Sequence, residues 1–220
     1  MEHTVEQFAD PAAASERAAG AITESARAAI AARGRFVGAV SGGGGVAAMF
    51  AALAGHDIAW DRVTLFQVDE RVAPDGDPDR NFTALRLAFG DTPAELRPMS
   101  VTRPDLAAAA GDYATVLPER FDLVHLGLGP DGHTASLVPG DPVLDVVDRL
   151  VAVTRPYQGR VRLTLTYPAL ARADQLLWLV TGADKAAALR ALLAGDRSIP
   201  AARVRSGVSL VVADAAAGGA

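Results

Sequence analysis

Apolar residues along this chain fall into short bursts separated by longer stretches of spaced polar positions, so strand-like and helix-like segments alternate. Residues 10–32 are alanine-rich with charges spaced along them, which predicts a helix docked by its Ala/Ile face. Arg35 to Val40 reads as a first strand; it runs into Ser41-Gly42-Gly43-Gly44-Gly45 and then a helical stretch from Val46 to Ala54. Val63 to Val68 is a second strand that ends in Asp69-Glu70-Arg71. The stretch Val72 to Arg80, with two prolines, one glycine and three aspartates, is a loop, and Asn81 is placed to cap the helix after it. A helix over about 104–117 precedes a buried strand at Phe121 to Leu126. Strand-like runs follow at Leu150 to Thr154, Val161 to Thr166 and Leu176 to Val180, then a helix at Ala183 to Ala194 and a final strand at Val208 to Val212. This order predicts the α/β class: an open, mostly parallel sheet with helices on both faces, Rossmann-like. It is read as one domain over residues 1–214, with no internal repeat or linker, followed by an Ala/Gly tail at 215–220 expected to be disordered.

The strand at 121–126 leads straight into Gly127-Leu128-Gly129-Pro130-Asp131-Gly132-His133-Thr134-Ala135-Ser136-Leu137, a glycine-rich turn holding a carboxylate and an imidazole two residues apart. In open α/β sheets the C-terminal edge of the strands is where ligands bind, and residue type and position agree here. His125 lies inside the strand and is expected to be packed and hydrogen-bonded, not reactive. The strand–glycine loop–helix unit at 36–54 presents free N–H groups and a helix dipole, a setting for phosphate, although it lacks the lysine of a P-loop. Gly42-x-Gly44-x-x-Ala47 also fits a loose dinucleotide fingerprint with Asp69 as ribose ligand, so a NAD-binding protein is a rival, weakened by the long spacing from Gly44 to Asp69. Arg71 is the best anion ligand of the Asp69-Glu70-Arg71 triplet, since a guanidinium grips phosphate by two parallel hydrogen bonds.

Composition narrows the partners. The formal charge of −5 argues against nucleic acid and anionic membranes, so an anionic small substrate needs a local cationic cluster. The absence of cysteine excludes disulfides and thiol nucleophiles, and four histidines supply too few ligands for a closed zinc site; no metal and no cofactor are expected. The N-terminal stretch lacks the apolar core of a signal peptide, and no run reaches the roughly 18 apolar residues of a membrane span. A soluble cytoplasmic protein is the expectation. Lys185 is the only lysine among 21 basic residues and stands in the first turn of a predicted helix. That placement favours an anionic partner beside it.

Four blocks together resemble the 6-phosphogluconolactonases, within the group sharing its fold with glucosamine-6-phosphate deaminase and ribose-5-phosphate isomerase. They are Ser41-Gly42-Gly43; Asp69-Glu70-Arg71 through Asn81-Phe82; Leu126 to Gly140; and Arg162-Leu163-Thr164-Leu165-Thr166 with Thr181-Gly182-Ala183-Asp184-Lys185-Ala186. The deaminases share Asp-Gly-His but continue differently from Thr134-Ala135-Ser136-Leu137, so the resemblance favours the lactonase. It implies a hydrolase of the oxidative pentose phosphate pathway, opening 6-phospho-D-glucono-1,5-lactone, with His133 as general base and Asp131 orienting it. It further implies a phosphate site among Gly42, Gly43, Gly44, Arg71, Asn81, Arg162 and Lys185; Arg160, two residues away on the same strand face, is the alternative to Arg162. The rivals are an isomerase or deaminase of the same fold and a sugar-phosphate sensor without turnover. The chain departs from the family at Gly44-Gly45-Val46, where Ser-Thr-Pro is usual, and at Arg80, where a serine is common; Arg80 is expected either to restore a phosphate contact or to face solvent.

Overall fold

The computed structural model describes residues 2–43 and 45–219, so Gly44 of the glycine loop and Ala220 of the tail lie outside the described residues. In chain order the elements are β1 (Thr4–Phe8), α1 (Pro11–Arg33), β2 (Phe36–Val40), α2 (Ala47–Ala54), β3 (Val63–Gln67), β4 (Asp69–Arg71), α3 (Asn81–Phe89), β5 (Glu95–Arg97), α4 (Leu106–Val116), β6 (Phe121–Gly127), β7 (Val151–Val153), β8 (Arg162–Leu165), α5 (Tyr167–Leu170), β9 (Ala173–Val180), α6 (Ala186–Leu193), β10 (Val208–Asp214) and α7 (Ala215–Gly218).

Seven strands form one sheet in the order β1-β10-β9-β6-β2-β3-β5. Every neighbouring pair in it is parallel. The central strands bury both faces. On one face Phe36, Leu65, Leu123, Leu177 and Leu210 pack with α1, α2 and α3. On the other, Phe66, Val124, Leu126, Leu176 and Trp178 pack with α4, α5, α6 and α7. Helix α1 begins where Asp10 accepts the Ala13 N–H at 2.8 Å and Pro11 takes the first turn, and it stops at Gly34, whose φ of 75° a glycine adopts without strain.

The chain order β2, β3, β5 moves outward in one direction, and the chain then returns to lay β6 on the opposite side of β2. The loops leaving the C-terminal ends of β2 and β6 therefore diverge, opening a crevice at the topological switch point between them. These are the glycine loop at 41–45 and the turn at 127–137.

Two expected parallel strands lie elsewhere. Leu150 to Thr154 and Val161 to Thr166 give β7 and β8, which pair antiparallel with each other and with β4 in a separate sheet of order β4-β8-β7. The link between them is too short for a parallel crossover, which takes a dozen residues or more. The tight turn at its tip is closed by Tyr157 and Arg160, which exchange backbone hydrogen bonds of 2.9 and 3.2 Å. The charged triplet Asp69-Glu70-Arg71 is itself strand β4, joined to the main sheet through Val68, whose N–H reaches Val40 O at 3.1 Å and whose carbonyl accepts the Leu165 N–H at 2.7 Å.

Glu70 fixes the arrangement beside the crevice. Its carboxylate has no exposure. Oε1 accepts the backbone N–H groups of Arg71 (2.8 Å) and Asn81 (2.7 Å); Oε2 accepts Gln67 Nε2 (3.0 Å), Arg80 Nε (3.1 Å) and the Phe82 N–H (2.9 Å). Arg80, 4 % exposed, neither faces solvent nor enters the crevice; it pairs with Glu70 and with Asp75 at 2.5 Å. Asn81 is not the cap of α3 but its first residue. The free N–H groups of that helix end are satisfied by Glu70, which releases the Asn81 side chain to donate to the Asp69 carbonyl and Oδ1, both at 3.0 Å.

The segment after Val212, expected as strand end and disordered tail, continues instead through Asp214 into α7, where Ala217 is buried. Asp214, 2 % exposed, caps α7 by accepting the Ala217 N–H (2.8 Å) and also accepts the Gly182 N–H (3.0 and 3.1 Å). It thereby anchors the 3-10 turn Ala183–Lys185 that precedes α6. The predicted helix at 183–194 is thus a 3-10 turn followed by α6.

Two substitutions test these anchors. Glu70→Ala leaves the buried Arg80 with only Asp75 as a carboxylate partner and frees the α3 helix end, so the unfolding free energy falls by about 3–5 kcal/mol. Asp214→Ala leaves the Gly182 and Ala217 N–H groups unsatisfied and costs about 1–3 kcal/mol. Urea melts of the two variants against the parent chain measure both, and equal midpoints for all three would refute the assignments.

Candidate active site

A cavity of about 320 Å³ opens at the switch point, lined by Gly42, Gly43, Arg71, Asn81, His133, Arg162 and Lys185 together with Ser41, Asp69, Gly129, Ala135 and Thr181. The structure thus brings together every described residue that the sequence reading assigned to the site except Asp131, which stands behind His133. Gly44 falls outside the described residues.

The turn after β6 builds the imidazole's position. The Gly129 N–H donates to the His133 carbonyl (2.8 Å) and the Gly132 N–H to the Gly129 carbonyl (3.0 Å), while Thr134 Oγ1 donates to the Gly127 carbonyl (2.8 Å). Gly132 turns the chain at φ 80°, where Ile199 would meet any side chain. Asp131 Oδ1 accepts the His133 N–H at 3.1 Å and lies 2.5 Å from His133 Nδ1. The carboxylate therefore holds the proton on Nδ1 and leaves Nε2 as the lone-pair nitrogen. Burial by itself raises the Asp131 carboxyl, but the His133 N–H and ring and the Tyr157 hydroxyl outweigh it and hold the group below the usual carboxylate range. Ala135 follows at φ 50°, a left-handed conformation costly for a residue with a Cβ, and it forms part of the cavity wall.

The opposite wall is cationic. In the small sheet Arg71 of β4 stands directly across from Arg162 of β8. Like charges so placed repel, an arrangement that an anion between them would relieve. Arg71 Nη1 donates to the Asp79 carbonyl at 2.6 Å, and Arg162, 4 % exposed, makes only long contacts of 3.4–3.5 Å to Ser136, Tyr157 and Gln158. Burial lowers the Arg162 guanidinium from its ordinary value, with Asp69 acting against it. Arg160 does not take its place: it leaves the cavity and bonds Asp79 at 2.9 Å and Asp77 at 3.5 Å. Lys185 completes the cluster, already paired with its neighbour Asp184 at 2.9 Å.

Among the described residues, four buried polar atoms of the lining have no partner: Ser41 Oγ, Arg71 Nε, Asn81 Oδ1 and Arg162 Nε. Desolvated polar atoms left unpaired cost free energy, so their concentration at one cavity marks a place where ligand atoms complete the bonding. The glycine loop is shaped by the same site. At Gly42 a Cβ would collide with the Asn81 side chain, and Gly43 has φ 108°.

Asp69 is not available as a ribose ligand. Buried at 5 % exposure, it accepts Ser136 Oγ (2.5 Å) and Asn81 Nδ2, and burial raises its carboxyl against the pull of Ser136, Arg71 and Arg162. His125 is packed but, among the described residues, not hydrogen-bonded: neither ring nitrogen has a partner, and burial pushes its pKa down to about 4, so it is neutral at physiological pH. Sequence reasoning missed Tyr157, whose hydroxyl donates to Asp131 Oδ2 at 3.2 Å. The available signal was Gln158-Gly159 between two strand-like runs, which marks a hairpin tip near the site. Among the described residues no group of three His, Cys, Asp or Glu side chains is placed to hold a metal, and no helix is long and apolar enough to cross a membrane.

Known proteins resemble this chain in sequence and in fold. The sequence profile of the glucosamine-6-phosphate isomerases/6-phosphogluconolactonase family matches residues 9–212. A 6-phosphogluconolactonase of Synechocystis is 38% identical over 195 residues, covering 82% of this chain and 81% of the relative. One from Nostoc is 34% identical over 236 aligned positions, covering 99% and 98%. The crystal structure of a 6-phosphogluconolactonase from Shewanella baltica superposes with a TM-score of 0.89 at 26% identity, covering 97% of this chain and 98% of that one. Profile, sequence relatives and three-dimensional likeness all extend across the loops that build the cavity, and the chain belongs to the glucosamine-6-phosphate isomerases/6-phosphogluconolactonase family.

Proposed function

We propose that this chain hydrolyses 6-phospho-D-glucono-1,5-lactone to 6-phospho-D-gluconate, with His133 as general base and without metal or cofactor. The observation that carries the reading is the opposition across one cavity of the Asp131–His133 pair and the Arg71, Arg162 and Lys185 cluster. The substrate has one reacting carbonyl and one distant dianion. The cationic wall takes the phosphate, with the Gly42 and Gly43 backbone and Asn81 beside it, and the lactone ring then lies toward His133.

The chemistry needs one proton carrier. His133 Nε2 accepts a proton from water as the oxygen attacks the lactone carbonyl carbon, giving a tetrahedral oxyanion. Collapse of that intermediate reforms the carbonyl and breaks the bond to the ring oxygen, which takes the proton back from the imidazolium. The carboxylic acid so formed ionises. Asp131 keeps the ring oriented and stabilises its charged form between the two transfers. Backbone N–H groups of one of the glycine loops are assigned to the oxyanion. Relatives named 6-phosphogluconolactonase support the choice of substrate, and Thr134-Ala135-Ser136-Leu137 after the Asp-Gly-His unit separates the chain from the deaminase pattern. An acidic chain without cysteine fits a cytoplasmic setting and gives nucleic acid no basic face.

The reading is tested by generating the lactone in situ and following 6-phosphogluconate above the spontaneous rate. His133→Ala should lower the catalysed rate by about 10²–10⁴-fold with the fold retained. An inactive parent chain that still binds the sugar phosphate would instead make it a sensor. Gly129→Ala provides an independent geometric check, because a Cβ there would be driven into the His133 ring. With the ring displaced by about 1 Å, activity should fall by on the order of 10²-fold while thermal stability changes little.

A further inference from the structure

We infer that Tyr157 is a positioning residue of the base, the third member of a Tyr157–Asp131–His133 unit, and that it couples this unit to the anion-binding Arg162. The inference rests on the reading of His133 as the base. Tyr157 does not line the cavity, so it acts through its neighbours.

Three contacts made by one side chain carry the argument. The hydroxyl donates to Asp131 Oδ2 at 3.2 Å, the oxygen that His133 does not use. The ring meets the His133 imidazole edge to face, with centroids 5.4 Å apart and planes at 65°. The other contact of the ring is the Arg162 guanidinium, whose central carbon lies 5.0 Å from the centroid. One aromatic ring therefore touches the base, its carboxylate and a cation of the opposite wall.

The backbone spends conformational energy to put it there. Tyr157 opens the tight turn closed by Arg160, and the two residues between them are both left-handed, Gln158 at φ 51° and Gly159 at φ 78°. A left-handed conformation at a residue with a Cβ is uncommon and costs about 1–2 kcal/mol. Arg160 then bonds Asp79 and Asp77 of the loop that Glu70 organises, and Arg162 reaches back to the Tyr157 carbonyl at 3.4 Å. The hairpin tip is thus held on both sides, which a surface tyrosine with no task would not require.

The hydroxyl has a definite electrostatic consequence. By donating to Asp131 it draws charge from the carboxylate and weakens that carboxylate's hold on the imidazolium. Removing it strengthens the attraction between the Asp131 carboxylate and the His133 ring. The other charged groups facing this unit across the cavity are Arg71 and Asp69 from β4, Arg162 from β8, and Lys185 from the turn before α6; the substitution changes none of them.

Tyr157→Phe keeps the ring, its edge contact and the Arg162 stack, and deletes only the hydroxyl. We expect kcat to fall about tenfold, the worth of one hydrogen bond to a charged group, with KM within about twofold. The acidic limb of the kcat/KM profile should move to higher pH by about half a unit. Tyr157→Ala should add a rise in KM, because Arg162 loses its aromatic support. Circular dichroism and thermal melts are expected to match the parent for both. A Tyr157→Phe variant with parental kcat and profile overturns the inference, and so does a lower kcat with an unmoved limb, since loose packing alone would do that. His133→Ala in the same assay separates the two readings: if it retains the parental rate the base assignment itself fails, and if it is inactive while Tyr157→Phe is unchanged, only the role of Tyr157 falls.

Discussion

A carboxylate removed from water must be surrounded by donors, and meeting that requirement at Glu70 organises one whole side of the crevice. The desolvation cost of such an ion is several kcal/mol, so all its lone pairs need partners. Five donors converge on it, from β3, from β4, from the end of the 72–80 loop and from the first turn of α3. Because two of them are N–H groups that α3 leaves open at its start, the helix can begin only where Glu70 stands. The loop before it must then fold back far enough to deliver Arg80. With those positions set, Asp69 and Arg71, the strand neighbours of Glu70, point to the other side of β4 and into the cavity. The buried ion that no ligand touches determines where the ligand-facing groups are.

This also explains which parts of the site could be read from sequence. The apolar runs at 36–40, 63–67 and 121–127 are central strands buried on both faces, where a continuous hydrophobic signal is the physical rule, and they stand where the pattern puts them. The turn after β6 was legible for the same reason, since a glycine-rich polar segment at the end of such a strand has few other uses. Strands β1 and β5 are at the edges of the sheet, half exposed and partly charged, and leave no comparable pattern. Asp69-Glu70-Arg71 reads as the charged end of the second strand, and only pairing with β8 makes it a strand of its own; tertiary contacts override propensity there. Arg80 is the sharpest case. An arginine beside a surface loop is ordinarily solvated, and nothing local announces that Glu70, ten residues earlier, needs a counter-charge.

The electrostatics of the cavity run against those of the molecule. The chain is acidic overall, yet Arg71, Arg162 and Lys185 face one small volume in which Asp69 is the only acidic side chain of the lining. Asp69 is held by Ser136 and Asn81 instead of forming a direct ion pair with either arginine. With three cations against one carboxylate the lining keeps an excess of positive charge, and because Ser136 and Asn81 occupy the Asp69 oxygens, the repulsion between two facing arginines becomes a preorganised demand for an anionic ligand.

The division of the fold into two sheets gives this chemistry its geometry. His133 belongs to the parallel sheet, carried by a turn that leaves the largely buried central strand β6. The arginines belong to the antiparallel sheet, which is small, attached through Val68, and free to be set at an angle to the first. A single parallel sheet offers its strand ends along one edge only, so it can present groups side by side but not facing one another. Turning β4 out of β3 after a single residue and pairing it with the returning hairpin of β7 and β8 adds a second wall. The proposed substrate, a lactone with a phosphate at its far end, fits between two walls of this kind. The departure at Gly44-Gly45-Val46 follows two glycines that the structure demands on its own terms, Gly42 by the approach of the Asn81 side chain and Gly43 by its positive φ.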